Sequence, residues 1–234
     1  MAVVRKAKDT NARMGSKMSE LRPHPAVYSD ALLPVMAEML QCCEYILDNF
    51  AGTGKIFQLL KWLPDTRFEG IEIEKEWKDY DERTTLGDAL DLPWSDDTFD
   101  AICVSPAFGN RMADHHEATD ESKRVTYKHM LGHELHEHNA GGMQWGPEYR
   151  LLHEMAWTEA RRVLVPGGRF VLNIKDHIRK GVVMPVTEWH IDTLAVLGFE
   201  MIDHVKVYGS GMGFGQNNDK RVPYQSVILF KLQE

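Results

Sequence analysis

Cysteine is scarce, with only Cys42, Cys43 and Cys103 among 234 residues. Two are adjacent and the third lies inside an apolar run, so neither a disulfide framework nor a cysteine-based zinc site is expected. A reducing cytoplasm fits. No apolar stretch reaches the roughly 20 residues that a membrane-spanning helix needs, so no membrane partner is expected. Residues 1–22 are polar and basic without an apolar core, and so do not read as a signal peptide. A Walker-type phosphate loop and an HExxH zinc motif are both missing.

What is present is a chain with 43% hydrophobic residues, enough for one domain with a substantial core. Residues 1–22 read as a flexible basic tail and 23–234 as a single domain. In Tyr45-Ile46-Leu47-Asp48-Asn49-Phe50-Ala51-Gly52-Thr53-Gly54 an apolar strand ends in an acid and passes through two glycines into the helical pattern Lys55–Leu60. Such a turn sets backbone N–H groups and a carboxylate at a strand's carboxyl end. An acid there repels phosphate but suits a cationic amino acid or a ribose hydroxyl. A helix is expected from Asp30, as N-cap, toward Leu47.

Further strands follow in order. Phe68–Ile73 carries Glu72 near its end, 24 residues after Asp48. Gly87-Asp88-Ala89 follows a third strand, Thr98–Val104 reads as a fourth running into Ser105-Pro106-Ala107-Phe108, and Arg162–Asn173 gives a helix end, a tight turn and a fifth. A polar insertion occupies 106–150. Helices are expected at 148–164 and 186–197, and closing strands near 199–207 and 225–232. Ligands of open α/β sheets bind over the carboxyl ends of the strands. Asp48, Glu72, Asp88 and Ser105 all fall at or just past such ends.

This series resembles the class I S-adenosylmethionine (SAM)-dependent methyltransferases over about residues 24–232. The resemblance implies a Rossmann-like α/β fold with a mostly parallel seven-stranded sheet and an antiparallel last strand, and SAM as cofactor. It places Asp48, Phe50, Gly52 and Gly54 around the methionine part of SAM, with Ser105 also at the cofactor. It gives Glu72 to the ribose, Asp88 with Ala89 to the adenine amino group, and His24 and Pro25 to a segment closing over the cofactor. Solvated strand-end acids are the alternative for Glu72 or Asp88 taken singly.

Ser105-Pro106-Ala107-Phe108 is similar to the motif of enzymes that methylate exocyclic amino groups of DNA, an Asp, Asn or Ser followed by Pro-Pro and Tyr or Phe. The serine form is associated mainly with N4 of cytosine. An aryl amine is a poor nucleophile because its lone pair is delocalised into the ring. A hydroxyl and a main-chain carbonyl accepting both N–H bonds draw the nitrogen toward tetrahedral geometry. The resemblance thus makes Ser105, Pro106 and Phe108 the catalytic set, with Phe108 stacked on a flipped base, a contact worth about 1–3 kcal/mol in nucleic-acid sites. Together with Gly109–Asp114 and Gly167–Asp176, the motif is similar to small phage-type DNA methylases, and DNA is the implied partner. N6 of adenine, RNA or small-molecule methylation, and a SAM-binding protein with weakened catalysis remain alternatives. Ala107 stands where the second proline is usual and Asn49 where a proline follows the aspartate, so a looser loop is expected.

The net charge of −8 opposes a nucleic-acid partner, because phosphate contacts need a basic face. Basic residues nevertheless gather in 1–22 and at Arg111, Lys123, Arg124, Lys128, Arg179 and Lys180, while acids concentrate at 65–100. A local basic rim is enough to engage one extruded base. His129, His133 and His136 share a helical face at this spacing, with His138 nearby; a DNA-contacting lid or a solvated insertion is expected there, not a metal site. Trp145 and Tyr149 are core anchors or base-stacking groups.

Overall fold

The computed structural model describes residues 24, 29–109, 126–208 and 221–234. Strands β1 (Tyr45–Asp48), β2 (Arg67–Glu72), β3 (Thr84–Leu86), β4 (Phe99–Val104), β5 (Leu164–Ile174), β8 (Phe199–Tyr208) and β9 (Tyr224–Leu232) form one sheet in the order β3-β2-β1-β4-β5-β9-β8. The pairs along β3-β2-β1-β4-β5 are parallel, and β9 runs antiparallel to both neighbours. The expected antiparallel last strand is therefore present. It lies between β5 and β8, so the closing pair β8–β9 forms that edge of the sheet. Two short strands, β6 (His177–Arg179) and β7 (Val182–Met184), make a separate hairpin that the sequence reading did not anticipate.

Strand alternation builds both faces of the core. Leu47, Ile102, Phe170, Leu172, Ile228 and Phe230 point into a cluster with Tyr149, Trp157 and Leu194 from helices α4 (Pro147–Val163) and α5 (Val186–Val196). Their neighbours Ile46, Ala101, Cys103, Val171 and Val227 point to the other face, against Met36 and Leu40 around helix α1 (Leu33–Met39) and Phe57 of the 3-10 helix Lys55–Lys61. Each large apolar side chain removed from water on this scale contributes about 1.5–3 kcal/mol. Cys103 is fully buried and its thiol pKa is pushed up by that burial, so it is a packing residue.

Two helical readings change. The Asp30 segment is a 3-10 turn (Asp30–Leu32) running into α1, which ends at Met39; its N-cap is Ser29, whose hydroxyl accepts from Ala31 N, and not Asp30. The histidines do not share a helical face. Helix α3 (Tyr127–Leu131), after α2 (Lys75–Lys78), ends before Gly132, which sits at a φ of 78° and turns the chain ahead of His133 and His136.

Candidate active site

The candidate residues gather at the carboxyl ends of adjacent strands. Asp48 closes β1, Glu72 closes β2, Asp88 follows β3 by two residues, and Ser105 is the first residue after β4. Since β1 lies between β2 and β4, these groups stand on neighbouring strands about 5 Å apart in the sheet direction.

The glycine turn is wired to β2. Ala51 N donates to Ile71 O at 3.0 Å, and Gly52 N donates to Glu72 Oε2 at 2.8 Å. Gly52 sits at a φ of 54° and Gly54 at 76°, a region costly for other residues. A Cβ on Gly52 would come within 3.4 Å of His24 Nε2, so the His24 ring lies over the turn, packed edge-on to Trp77 and Tyr127. Burial holds His24 neutral, its pKa lowered to about 4.

Both carboxylates at the turn are almost fully shielded. Asp48 is 2% exposed and accepts Phe50 N at 3.0 Å; burial, with a contribution from Glu72, raises its pKa to about 7. Glu72 accepts from Gly52 N and Glu74 N, and burial outweighs these bonds to raise its pKa to about 7 as well. Beside them the Asn49 amide, 1% exposed, finds no hydrogen-bond partner among the described residues for either polar atom. Buried polar atoms without partners are rare, and a polar ligand at the turn would satisfy them. Phe50 is partly buried, its ring stacked on His153 at 5.6 Å and edge-on to Trp157.

The insertion folds onto the acids. His138 Nδ1 meets Asp88 Oδ2 at 2.6 Å, and Leu90 N donates to Asp88 Oδ1. Glu74 Oε1 accepts from His136 N and Asn139 Nδ2, while His133 Nε2 lies 3.1 Å from Glu76 Oε1. The histidine-bearing segment thus covers the β2 and β3 ends, with the expected adenine acid Asp88 already engaged by His138. Ala89 is buried in the core beside it. Pro25 lies outside the described residues, as do Arg111, Lys123 and Arg124.

At the end of β4 the loop is held by hydrogen bonds from β5 and α4, and of the residues that make them Asn173, Trp157 and His190 were not expected at the site from the sequence. Asn173 of β5, fully buried, donates through Nδ2 to Ser105 Oγ at 2.9 Å and to Gln225 Oε1 of β9 at 3.1 Å. Tyr149 Oη donates to Ala107 O at 2.7 Å. The indole of Trp157 donates to His190 Nδ1, so neutral His190 carries its hydrogen on Nε2 and donates to Tyr149 Oη at 3.1 Å. Burial keeps His190 neutral, its pKa well below the usual value. A second tie runs from Trp145 N to Gly109 O at 3.0 Å. The looseness expected from Ala107 is thereby countered by hydrogen bonds to the loop's carbonyls. Pro106 is buried and Phe108 half-buried against the main core; Tyr149 and Trp145 are core anchors.

Tyr149→Phe removes one hydroxyl and leaves the Ala107 carbonyl and the His190 N–H without it. The expected loss is about 1–3 kcal/mol of unfolding free energy, the usual cost of stranding buried polar groups. Urea denaturation measures it, and an unchanged midpoint would contradict the chain of bonds.

No protein-family model and no curated protein matches the chain. Solved structures do. A SAM-dependent methyltransferase from Methanosarcina mazei aligns over 89% of this chain and 99% of its own, at TM-score 0.55 and 14% identity. A geranyl diphosphate methyltransferase, in complex with geranyl diphosphate and sinefungin, aligns over 87% and 78% at TM-score 0.54 and 12% identity. The cyclase SpnF aligns over 96% and 93% at TM-score 0.53 and 14% identity. At these identities the likeness establishes the Rossmann-like methyltransferase fold, and the presence of a cyclase among the neighbours shows that the fold alone does not dictate the reaction.

Proposed function

We propose that this protein transfers a methyl group from S-adenosylmethionine to an exocyclic amino group of a DNA base, N4 of cytosine first and N6 of adenine second. One arrangement carries the reading. Ser105 Oγ, oriented by Asn173, stands at the end of β4 beside the strand that ends in buried Asp48.

The residues present fit the cofactor. Two shielded carboxylates with raised pKa values are poised for a cationic ligand, and the unpartnered Asn49 amide adds polar capacity at the same turn. Asp48, Phe50, Gly52 and Gly54 would surround the methionine part, Glu72 the ribose, and Asp88, shared with His138, the adenine side with Ala89. His24 and Pro25 would close over it. Bound there, S-adenosylmethionine supplies an activated methyl group on a sulfonium.

This chain's own contribution is placement. Asn173 Nδ2 occupies one lone pair of Ser105 Oγ and leaves the other to accept an N–H from the target amine. The Pro106 carbonyl accepts the second N–H, so the nitrogen pyramidalises and its lone pair becomes available. Holding two reactants in register in this way can supply about 7–11 kcal/mol of the barrier in well-oriented pairs. Cys103 is buried within β4, consistent with direct transfer without a covalent enzyme intermediate.

Expression in a host free of DNA methylation, followed by digestion to nucleosides and mass spectrometry, tests the reading directly. Appearance of N4-methylcytosine or N6-methyladenine supports it; their absence, with SAM still bound in calorimetry, leaves a binding protein without this chemistry. Phe108→Ala is expected to spare SAM affinity and to cut methylation roughly 10- to 100-fold, in line with a lost base stack of about 1–3 kcal/mol; unchanged turnover excludes stacking. A small-molecule acceptor is the second reading, favoured by the net charge of −8 and by the small-molecule methyltransferase among the structural neighbours.

A further inference from the structure

The excursion between β5 and α5 forms a two-stranded ribbon separate from the main sheet. It leaves the carboxyl end of β5 only a few residues past Asn173, so it rises from the same side of the sheet as the acceptor loop. Its pairs are His177 with Met184, Ile178 with Val183 and Arg179 with Val182. Lys180 and Gly181 close it, both at positive φ (51° and 80°), as the tight type I′ hairpin turn requires. Met184 packs on the main core and anchors the base.

The tip does not lie on the body of the protein. Successive strand residues face opposite sides of a ribbon, yet Val182 is 59% exposed and Val183 52%. The turn end of β7 is therefore open to solvent on both sides, while β6 is half-buried along its length, and a Cβ on Gly181 would meet nothing within 4 Å. A two-stranded hairpin is marginal in water by itself, so apolar exposure on both faces needs a purpose.

The charge gives the purpose. Arg179 and Lys180 have no ion-pair partner among the described residues, although the chain as a whole is acidic. At the hairpin's root Lys175 has its pKa lowered by burial and by Arg221, which places another pair of cations together. Asp176, the acid in this stretch, accepts Thr187 N through Oδ1 at 2.7 Å and is tied to the start of α5.

We propose that the β6–β7 hairpin enters a groove of duplex nucleic acid beside the carboxyl ends of the strands, with Arg179 and Lys180 on phosphates and Val182 and Val183 against the groove wall. A two-stranded ribbon fits the roughly 12 Å width of a major groove. The inference rests on the reading of a DNA base as acceptor, and it supplies that reading with a docking element.

The test uses the full-length protein and a short fluorescein-labelled duplex in an anisotropy titration across salt concentrations. R179Q/K180Q should weaken binding at least about tenfold at low salt and reduce the slope of log affinity against log salt by about 2, one for each lost phosphate contact. V182S/V183S should weaken binding while leaving that slope unchanged. All four positions are away from the cofactor turn, and unchanged melting and SAM affinity confirm that the fold is intact. Wild-type affinity and slope in R179Q/K180Q overturn the proposal. So does absence of duplex binding by the wild type, or stronger hairpin-dependent binding to phosphatidylserine vesicles than to duplex. Hairpin-dependent duplex binding without any methylated base supports the hairpin and sinks only the methylation reading.

Discussion

Asp48→Asn is expected to abolish measurable binding of S-adenosylmethionine, a loss on the order of a hundredfold or more. The substitution keeps the side chain's shape and an oxygen for Phe50 N, so the turn persists while the negative charge goes. Charge-assisted hydrogen bonds contribute about 1.5–3 kcal/mol each, and every 1.4 kcal/mol is tenfold in affinity. Asp48→Ala should bind no better. The wild-type protein adds a signature of its own. Asp48 and Glu72 rise from their ordinary 3.8 and 4.5 to about 7 on folding. Acids raised in this way stabilise the fold fully below about pH 4, and that contribution is lost as pH rises through 7. A sulfonium ligand favours their ionised forms, so binding near pH 6 should release protons and binding near pH 9 should release almost none. Titration calorimetry in buffers of different ionisation enthalpy counts them. Full affinity in Asp48→Asn, or binding at pH 6 without proton release, removes the carboxylate pocket as the cofactor site.

Ser105→Ala has the second largest expected effect, on methyl transfer. Removing one preorganised hydrogen-bonding group from a reacting centre costs about 10²–10³ in rate. The Asn173 amide then loses its Ser105 partner as well, which makes Asn173→Ala a weaker copy of the same defect. The expected pattern is a collapse of kcat in Ser105→Ala and a smaller fall in Asn173→Ala, with SAM affinity within a fewfold of wild type in both. Single-turnover assays with radiolabelled methyl groups read this split. Equal rates for Ser105→Ala and wild type would remove Ser105 from the chemistry.

The sheet and the glycine turn were legible because local signals mark them. Tyr45–Leu47 is an apolar run that ends in Asp48, Gly52 and Gly54 supply positive φ, and Glu72 falls at the end of a second apolar run. The loop's fastenings were not legible. Tyr149 reaches Ala107 across 42 positions, and Asn173 meets Ser105 across 68, distances that no local pattern encodes. The hairpin did leave a trace, since Lys180-Gly181 between Ile178-Arg179 and Val182-Val183 is a two-residue turn with a glycine. Three-residue strands are too short for alternation to reveal. The histidine spacing misled because Gly132 breaks the helix that a period of three or four suggests.

The placement of β9 has a temporal consequence. Its Gln225 steadies Asn173 from the last strand in the chain, whereas Asp48 and Glu72 belong to the first two. A nascent polypeptide can close its carboxylate turn as soon as β1 and β2 pair. Its Asn173 faces an open sheet edge until β9 slides between β5 and β8. Synthesis order thus delivers the residues of the carboxylate turn before the strand that completes the hydrogen bonds of Asn173.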